Sequence, residues 1–245
     1  MRKAVNCIMS KELIQDIRLF ESDIPNVDGN GFPTYIGEIY QYDHKSCLHS
    51  IYRLLFLLRH RGFGFDAFHH LYLNFTPCIP HNEVREVNRY TVKEFSWFQY
   101  VDVGCDVELF NGLSPKEKNV FILESIKRAV LLKASTEQRE LFLDTFEEVL
   151  QNGEQLLLPY KQKENQDFVV QIFVRITDAL DFLPLIRVTD KNGVVKLEQA
   201  LRTYGRDKFI SQVGMITIGK SSLRVAPRKN WHTDHYALKP ISLKW

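Results

Sequence analysis

The chain lacks any apolar stretch long enough to enter a membrane. Its longest apolar run near the N-terminus is Leu54–Leu58, which lies between Arg53 and Arg59 and is far shorter than the roughly 20 residues that span a bilayer. The first ten residues lack the apolar region of a secretory signal peptide. We therefore expect a cytoplasmic protein with no membrane partner.

Cysteine is scarce and widely spaced. The four cysteines are Cys7, Cys47, Cys78 and Cys105, whereas disulfide frameworks belong to short secreted chains with dense cysteines. No Cys-x-x-Cys or His-Glu-x-x-His pattern is present, so the strong zinc signatures are missing. The spacing favours free thiols in a reducing compartment, and we predict no metal ion and no cofactor.

Motifs of nucleophilic and nucleotide chemistry are missing as well. There is no Gly-x-Ser-x-Gly elbow and no Walker-type lysine loop, and Gly62–Phe65 precedes a predicted strand, whereas a phosphate cradle leads into a helix. Asp106 beside Cys105 should raise the pKa of that thiol and oppose formation of a thiolate. Lys45 and His44 make a setting that is more permissive of a thiolate at Cys47. The sequence therefore predicts no catalytic residue.

Histidines leave one enzymatic alternative open. His69 and His70 are neighbours on a predicted strand, so we expect them to point to opposite faces. His232 and Asp234 would share one side of an extended segment, although surface histidines in a polar tail are the commoner case. An enzyme of an unrecognised family could still use such a histidine with a carboxylate that the fold brings to it.

Charge of one sign does not dominate the whole chain, whose formal net charge is +2. Residues 182–245 nevertheless carry twelve Lys or Arg against four Asp or Glu, whereas residues 100–167 carry eight against thirteen. The basic part ends in a cluster that could contact phosphates and stack a base: Lys220, Arg224, Arg228, Lys229, Trp231 and His232. Because the chain as a whole is not strongly basic, a nucleic-acid-contacting domain is an alternative and not our expectation.

The composition is that of an ordinary globular protein, with 44% hydrophobic and 25% charged residues. Helical spacing predicts a helix over residues 45–60. Ser114, Pro115 and Glu117 form a capping box that begins a second helix, and Ser135 with Gln138 predicts a third.

Alternating apolar residues predict strands over residues 68–76, 95–103, 168–176, 183–189 and 194–197, followed by a hairpin through Lys220 and Ser221. Asn192-Gly193 is a favoured type I′ turn pair. Because the later strands follow one another without intervening helices, the sequence predicts an α+β fold with a C-terminal antiparallel meander. We expect residues 1–245 to form a single domain.

Two segments carry a family resemblance: Leu71–Pro77, and the run from Tyr100–Asp106 through Leu109–Asn111 to Ser114–Lys118. Over about residues 65–135 the chain resembles immunity proteins of bacterial polymorphic and contact-dependent toxin systems. The resemblance implies a cytoplasmic protein that neutralises a cognate toxin by direct 1:1 binding, without catalysis. Such binding uses aromatic anchors and charge opposite to that of the partner. The candidate partner-binding residues are Trp97, Tyr100, Asp102, Asp106 and Glu108.

Overall fold

The computed structural model describes residues 12–25, 32–87 and 96–245. The chain separates into two compact units, although the sequence is interpreted above as one domain. Unit 1 comprises the described residues of Met1–Cys47 and of Arg61–Glu147, and unit 2 comprises Leu48–His60 and Glu148–Trp245. Helices and mostly antiparallel sheets confirm the predicted α+β class.

The described residues of unit 1 form seven strands: β1 (Glu12–Leu13), β2 (Asp16–Glu21), β3 (Thr34–Tyr35), β4 (Gly64–Phe65), β5 (His70–Thr76), β6 (Val84–Glu86) and β7 (Phe98–Gly104). Five of them form a sheet with the order β3-β2-β5-β7-β6, and β1 pairs with β4. The three central strands β2, β5 and β7 are parallel, and the two edge strands are antiparallel to their neighbours. All of β5 except its first residue is buried, which is the usual environment of a parallel strand.

Within the part of the chain that the structure describes, three α-helices belong wholly or mainly to unit 1: α2 (Val107–Gly112), α3 (Pro115–Lys133) and α4 (Thr136–Asn152). The predicted capping box of α3 is confirmed, since Ser114 and Glu117 satisfy each other's amides. The predicted start of α4 after Ser135 is also confirmed, but the side chain of Gln138 accepts from the amide of Gly64 at 3.3 Å. The α3 helix packs against the sheet, where the rings of Phe121 and Phe75 lie 6.3 Å apart.

Unit 2 begins with α1 (Leu48–His60), which follows a 3₁₀ turn at His44–Cys47 and confirms the helix predicted over residues 45–60. Its main sheet is the predicted antiparallel meander, in the order β11-β10-β9-β8. The strands are β8 (Leu158–Glu164), β9 (Phe168–Ile176), β10 (Phe182–Asp190) and β11 (Val195–Ala200). Alternate residues of β9 and β10 are buried, as expected for strands with one face on a core.

The turn between β10 and β11 differs from the predicted type I′ form. Gly193 has a φ of 82°, but Asn192 is not in the left-handed region that a type I′ turn requires at both central residues. The amide of Gly193 donates to the carbonyl of Asp190 at 3.0 Å, and the register shifts between Val188 and Thr189. The connection is therefore a longer turn that contains a glycine. Within it, the Asp190 side chain accepts from the amides of Asn192 and Val194 at 2.9 Å each.

The remainder of unit 2 is α5 (Arg206–Gln212), a three-stranded antiparallel sheet and the short helix α6 (Trp231–His235). The sheet consists of β12 (Met215–Ile218), β13 (Ser222–Ala226) and β14 (Ile241–Lys244), and it includes the hairpin predicted through Lys220 and Ser221. No helix within the described residues has both the length and the apolar character to cross a membrane.

Candidate partner-binding site

The carboxyl ends of β5 and β7 border a recess in unit 1. Ligands commonly bind outside the carboxyl ends of parallel strands, because the loops that leave neighbouring strands diverge there. The recess has a volume of about 580 Å³ and is lined by Pro77, Cys78, Ile79, Pro80, His81, Cys105, Asp106, Val107 and Glu108. Two of the five predicted partner-binding residues, Asp106 and Glu108, therefore belong to one concave surface.

The two loops of the recess are tied closely together. A Cβ atom on Gly104 would lie 1.8 Å from the carbonyl oxygen of Pro80, so this approach requires glycine. The amide of Asn82 donates to the carbonyl of Gly104, and the amide of Gly104 donates to the carbonyl of Glu83, both at 2.8 Å. These bonds hold the walls of the recess in one arrangement before any partner binds.

Asp106 is fixed from two sides. Its amide donates to Nδ1 of His81 at 3.0 Å, and its Oδ1 accepts from the amide of Leu109 at 2.9 Å as the N-cap of α2. The ring of His81 stacks on Phe121, with centroids 5.5 Å apart. The Asp106 carboxylate is exposed, so its position is set by the fold while its charge faces solvent.

The rim of the recess is acidic. Asp106 and Glu108 are exposed, and the described residues that line the recess include no Lys or Arg. Leu109, next to them on α2, exposes 62% of its surface. Negative charge beside an exposed apolar side chain suits a basic segment of a partner that also brings some apolar contact.

The thiols beside this surface are poorly suited to nucleophilic chemistry. Burial raises the pKa of Cys105 to about 12, and the charge of Asp106 adds to that effect, as the sequence indicates. The expectation that the surroundings of Cys47 are more permissive of a thiolate is wrong, because burial raises the pKa of that thiol to about 11. Cys78 is exposed and its Sγ donates to the carbonyl of Asp23 at 3.2 Å, while Cys7 lies outside the described residues.

The other three predicted partner-binding residues lie elsewhere on or beside β7. Tyr100 is buried in an aromatic cluster, with its ring 5.2 Å from that of Tyr72. Asp102 is buried and its Oδ1 accepts from Nδ2 of Asn74 at 2.8 Å. Trp97 is partly exposed but precedes the opposite end of β7. The predicted set therefore does not form one surface, because the part of β7 that carries Tyr100 and Asp102 is buried.

The histidine pair has a geometry that the sequence did not predict. The rings of His69 and His70 lie on one side, with Nδ1 atoms 2.5 Å apart, and Nε2 of His69 lies 3.1 Å from Oε2 of Glu12. The expectation of opposite faces is wrong because His69 lies in a bend before β5 begins at His70. Both amides donate to the carbonyl of Trp97.

The expected alignment of His232 with Asp234 is also not found, because the segment is the helix α6 and not an extended chain. Trp231 stacks on His235 with centroids 4.7 Å apart, as helical i, i+4 neighbours do. Within residues 12–25, 32–87 and 96–245, no group of three or more His, Cys, Asp or Glu side chains could hold a metal ion.

We compared the chain with models of known protein families, with curated proteins and with solved structures, and none of these comparisons finds a significant match. The resemblance to immunity proteins therefore stays a prediction. The function has to be inferred from the geometry of the chain.

Proposed function

We propose that this chain is a binding protein that neutralises a cognate bacterial toxin in the cytoplasm by direct 1:1 association, and that the acidic recess of unit 1 receives a basic segment of the toxin. The observation that carries the proposal is the pair of exposed carboxylates, Asp106 and Glu108, on the rim of a concave surface whose lining has no described Lys or Arg. Opposite charge on a partner would speed the encounter and fix its orientation.

The rigid walls of the recess support a binding role. The approach of Gly104 to Pro80 and the bonds around His81 and Asp106 hold the rim in place. A surface that is already ordered loses little conformational freedom when a partner binds, so more of the contact energy appears as affinity. Leu109, exposed beside the carboxylates, supplies an apolar contact next to the charged ones.

The chemistry of the recess supports binding over catalysis at this place. The thiol of Cys105, with its pKa raised to about 12, is protonated at neutral pH and is a poor nucleophile. The side chain of Asp106 already accepts the amide of Leu109. Neither Cys105 nor Asp106 is therefore set up as a nucleophile or a free base.

The test is coexpression of this chain with the toxin encoded next to its gene. We expect cells that make both proteins to grow, and the purified pair to elute as a 1:1 complex. Asp106→Asn together with Glu108→Gln should weaken the complex, because asparagine keeps the helix cap while the charge is lost. Equal killing with and without the wild-type chain would reject toxin neutralisation.

An enzyme is the second candidate, and one observation favours it. Glu12, His69 and His70 form a chain of side chains within hydrogen-bond reach, which is an arrangement that can orient an imidazole for proton transfer. If unit 1 is a hydrolase, a screen of model esters and phosphoesters should reveal turnover that His70→Asn abolishes and that the Asp106→Asn, Glu108→Gln double variant retains. Absence of turnover in the wild-type chain would reject this candidate.

A further inference from the structure

Unit 2 contains a cavity of about 320 Å³ between the end of α1, the start of β8 and the segments around Ile210 and Arg228. Its lining residues are Phe56, Arg59, His60, Pro159, Tyr160, Ile210 and Arg228. The volume lies at the low end of the range for small-molecule sites. None of these residues belongs to the recess of unit 1.

The cavity is cationic. Arg59, His60 and Arg228 line it, and the described lining contains no Asp or Glu. Burial lowers the pKa of the neighbouring Lys161, and the positive charges of Arg228 and Lys163 lower it further, as expected where cations are crowded together. The part of the chain that the structure describes places no carboxylate within ion-pair distance of Arg228.

Arg228 is held in position by neutral acceptors. Its Nη2 donates to the hydroxyl of Tyr160 at 3.0 Å, and its Nε lies 3.5 Å from the carbonyl of Val213. A guanidinium held by neutral groups has no carboxylate balancing its charge and retains donors for an oxyanion. Arg228 is also exposed, so a ligand can reach it from solvent.

The rest of the lining is apolar and aromatic. The rings of Phe56 and Tyr160 are stacked with centroids 5.8 Å apart, and the guanidinium of Arg59 lies 5.0 Å from the centroid of Phe56. Pro159 and Ile210 complete the apolar part. The cavity thus presents guanidinium groups next to aromatic and apolar side chains.

We propose that this cavity binds a small organic anion, in which a phosphate or carboxylate meets Arg228 and a flat apolar group lies against Phe56 and Tyr160. Guanidinium groups recognise both oxyanions through paired hydrogen bonds. A bare inorganic anion would leave the apolar lining without a contact. This site is independent of the proposed toxin-binding recess.

The test is calorimetric titration of the full chain with phenyl phosphate, benzoate and inorganic phosphate. We expect phenyl phosphate or benzoate to bind, and the one that binds more tightly identifies the preferred oxyanion. Inorganic phosphate should bind at least about tenfold more weakly than that compound. Arg228→Gln should weaken the organic anion by about tenfold or more, since it removes a charge-assisted hydrogen bond. Tyr160→Phe, which removes only the hydroxyl that orients Arg228, should weaken it by about threefold.

Arg224→Gln is the matched control, because Arg224 is exposed on β13 and does not line the cavity. It should leave the affinity unchanged, and the thermal unfolding of each variant without ligand shows whether it is folded. Equal affinity in Arg228→Gln and Arg224→Gln, or no binding of either organic anion, would overturn the proposal. If the chain binds a single-stranded oligonucleotide with a steep dependence on salt and binds neither organic anion, the small-anion proposal is overturned in favour of a nucleic-acid surface.

Discussion

The imidazole rings of His69 and His70 lie within hydrogen-bonding distance of each other. Their Nδ1 atoms lie 2.5 Å apart, and because two protonated nitrogens would repel each other, one must donate while the other accepts. Glu12 lies at the far nitrogen of His69. Acid that charges His70 would therefore weaken this contact at the start of β5.

We predict that acid destabilises unit 1 through His70. Burial lowers the pKa of His70 and the nearby His69 and Arg18 lower it further, while Asp16 opposes them. Because this pKa is lower in the folded chain than in the unfolded chain, unfolding takes up a proton, so stability is lost as the pH falls below the unfolded value of about 6.5. The melting temperature should fall between about pH 7.5 and about pH 5.5, and His70→Asn should reduce that fall.

His60→Gln is the control for this pH dependence, because His60 is exposed and lies in unit 2. It should show the same decrease in melting temperature as the wild-type chain. A decrease that is identical in His70→Asn would show that the histidine pair is not its source.

A buried carboxylate organises the loop that follows β3. Both oxygens of Glu21 accept backbone amides, from Gly37, Glu38, Ile39 and Tyr40, at 2.8–3.2 Å. Glu21→Gln should cost about 3 kcal/mol in the free energy of unfolding. The side-chain nitrogen of glutamine cannot accept a hydrogen bond, so the backbone amides that face it would lose their acceptor. Urea denaturation measures this free energy. The control is Glu38→Gln at an exposed neighbour, which should change the free energy of unfolding little. Equal costs for the two substitutions would contradict the role assigned to the Glu21 carboxylate.

The close approach of β7 to the loop at Pro80 gives a steric prediction. Gly104→Ala places a Cβ atom 1.8 Å from the Pro80 carbonyl oxygen, which forces backbone movement and should cost about 3 kcal/mol. Gly112→Ala is the matched control, because nothing lies within 4 Å of its added Cβ. Chemical denaturation of the two variants should separate them clearly, and similar stabilities would mean that the walls of the recess are not held as described.

In unit 2, Arg53 is an interior cation. Its side chain exposes 3% of its surface, whereas that of its partner Asp178 exposes 66%. Nη2 of Arg53 donates to Oδ1 of Asp178 at 2.7 Å, and the guanidinium also donates to the carbonyl of Ile176. This pairing lowers the pKa of Asp178 through its hydrogen bond to Arg53.

We therefore expect Asp178→Ala to destabilise unit 2 by about 2 kcal/mol, more than an exposed acid normally would, because it leaves a buried guanidinium without its counter-charge. Asp181→Ala, a nearby exposed acid, is the control and should have little effect. In an Arg53→Met background the Asp178→Ala substitution should cost almost nothing more, as a double-mutant cycle of unfolding free energies would reveal. Strict additivity would contradict the pairing.

The sequence predicted the elements whose signals are local. Ser114 and Glu117 begin α3 because their bonds join residues three apart, and the alternation from Phe168 to Ile176 appears directly as β9. The parallel sheet of unit 1 was not predicted, because β2 and its neighbour β5 are separated by more than forty residues of chain. No short-range pattern reports such a pairing.

The candidate sites were predictable only in part for the same reason. Asp106 and Glu108 lie close in sequence and share the recess, but His81 joins them from 25 residues away. Arg228 was identified as basic, whereas its contact with Tyr160 spans 68 residues. The bend at His69 reversed the expected direction of one imidazole, because a strand period holds only within the strand.

The most direct test of the proposed toxin-binding recess is the affinity of the chain for the toxin encoded beside its gene, measured as a function of salt. Two double variants with the same change in charge are compared with the wild-type chain. Asp106→Asn with Glu108→Gln should lower the affinity by about tenfold or more and flatten its salt dependence. Glu140→Gln with Asp144→Asn, two exposed acids on α4, should behave like the wild-type chain. Identical affinities and salt slopes in both double variants would contradict the account.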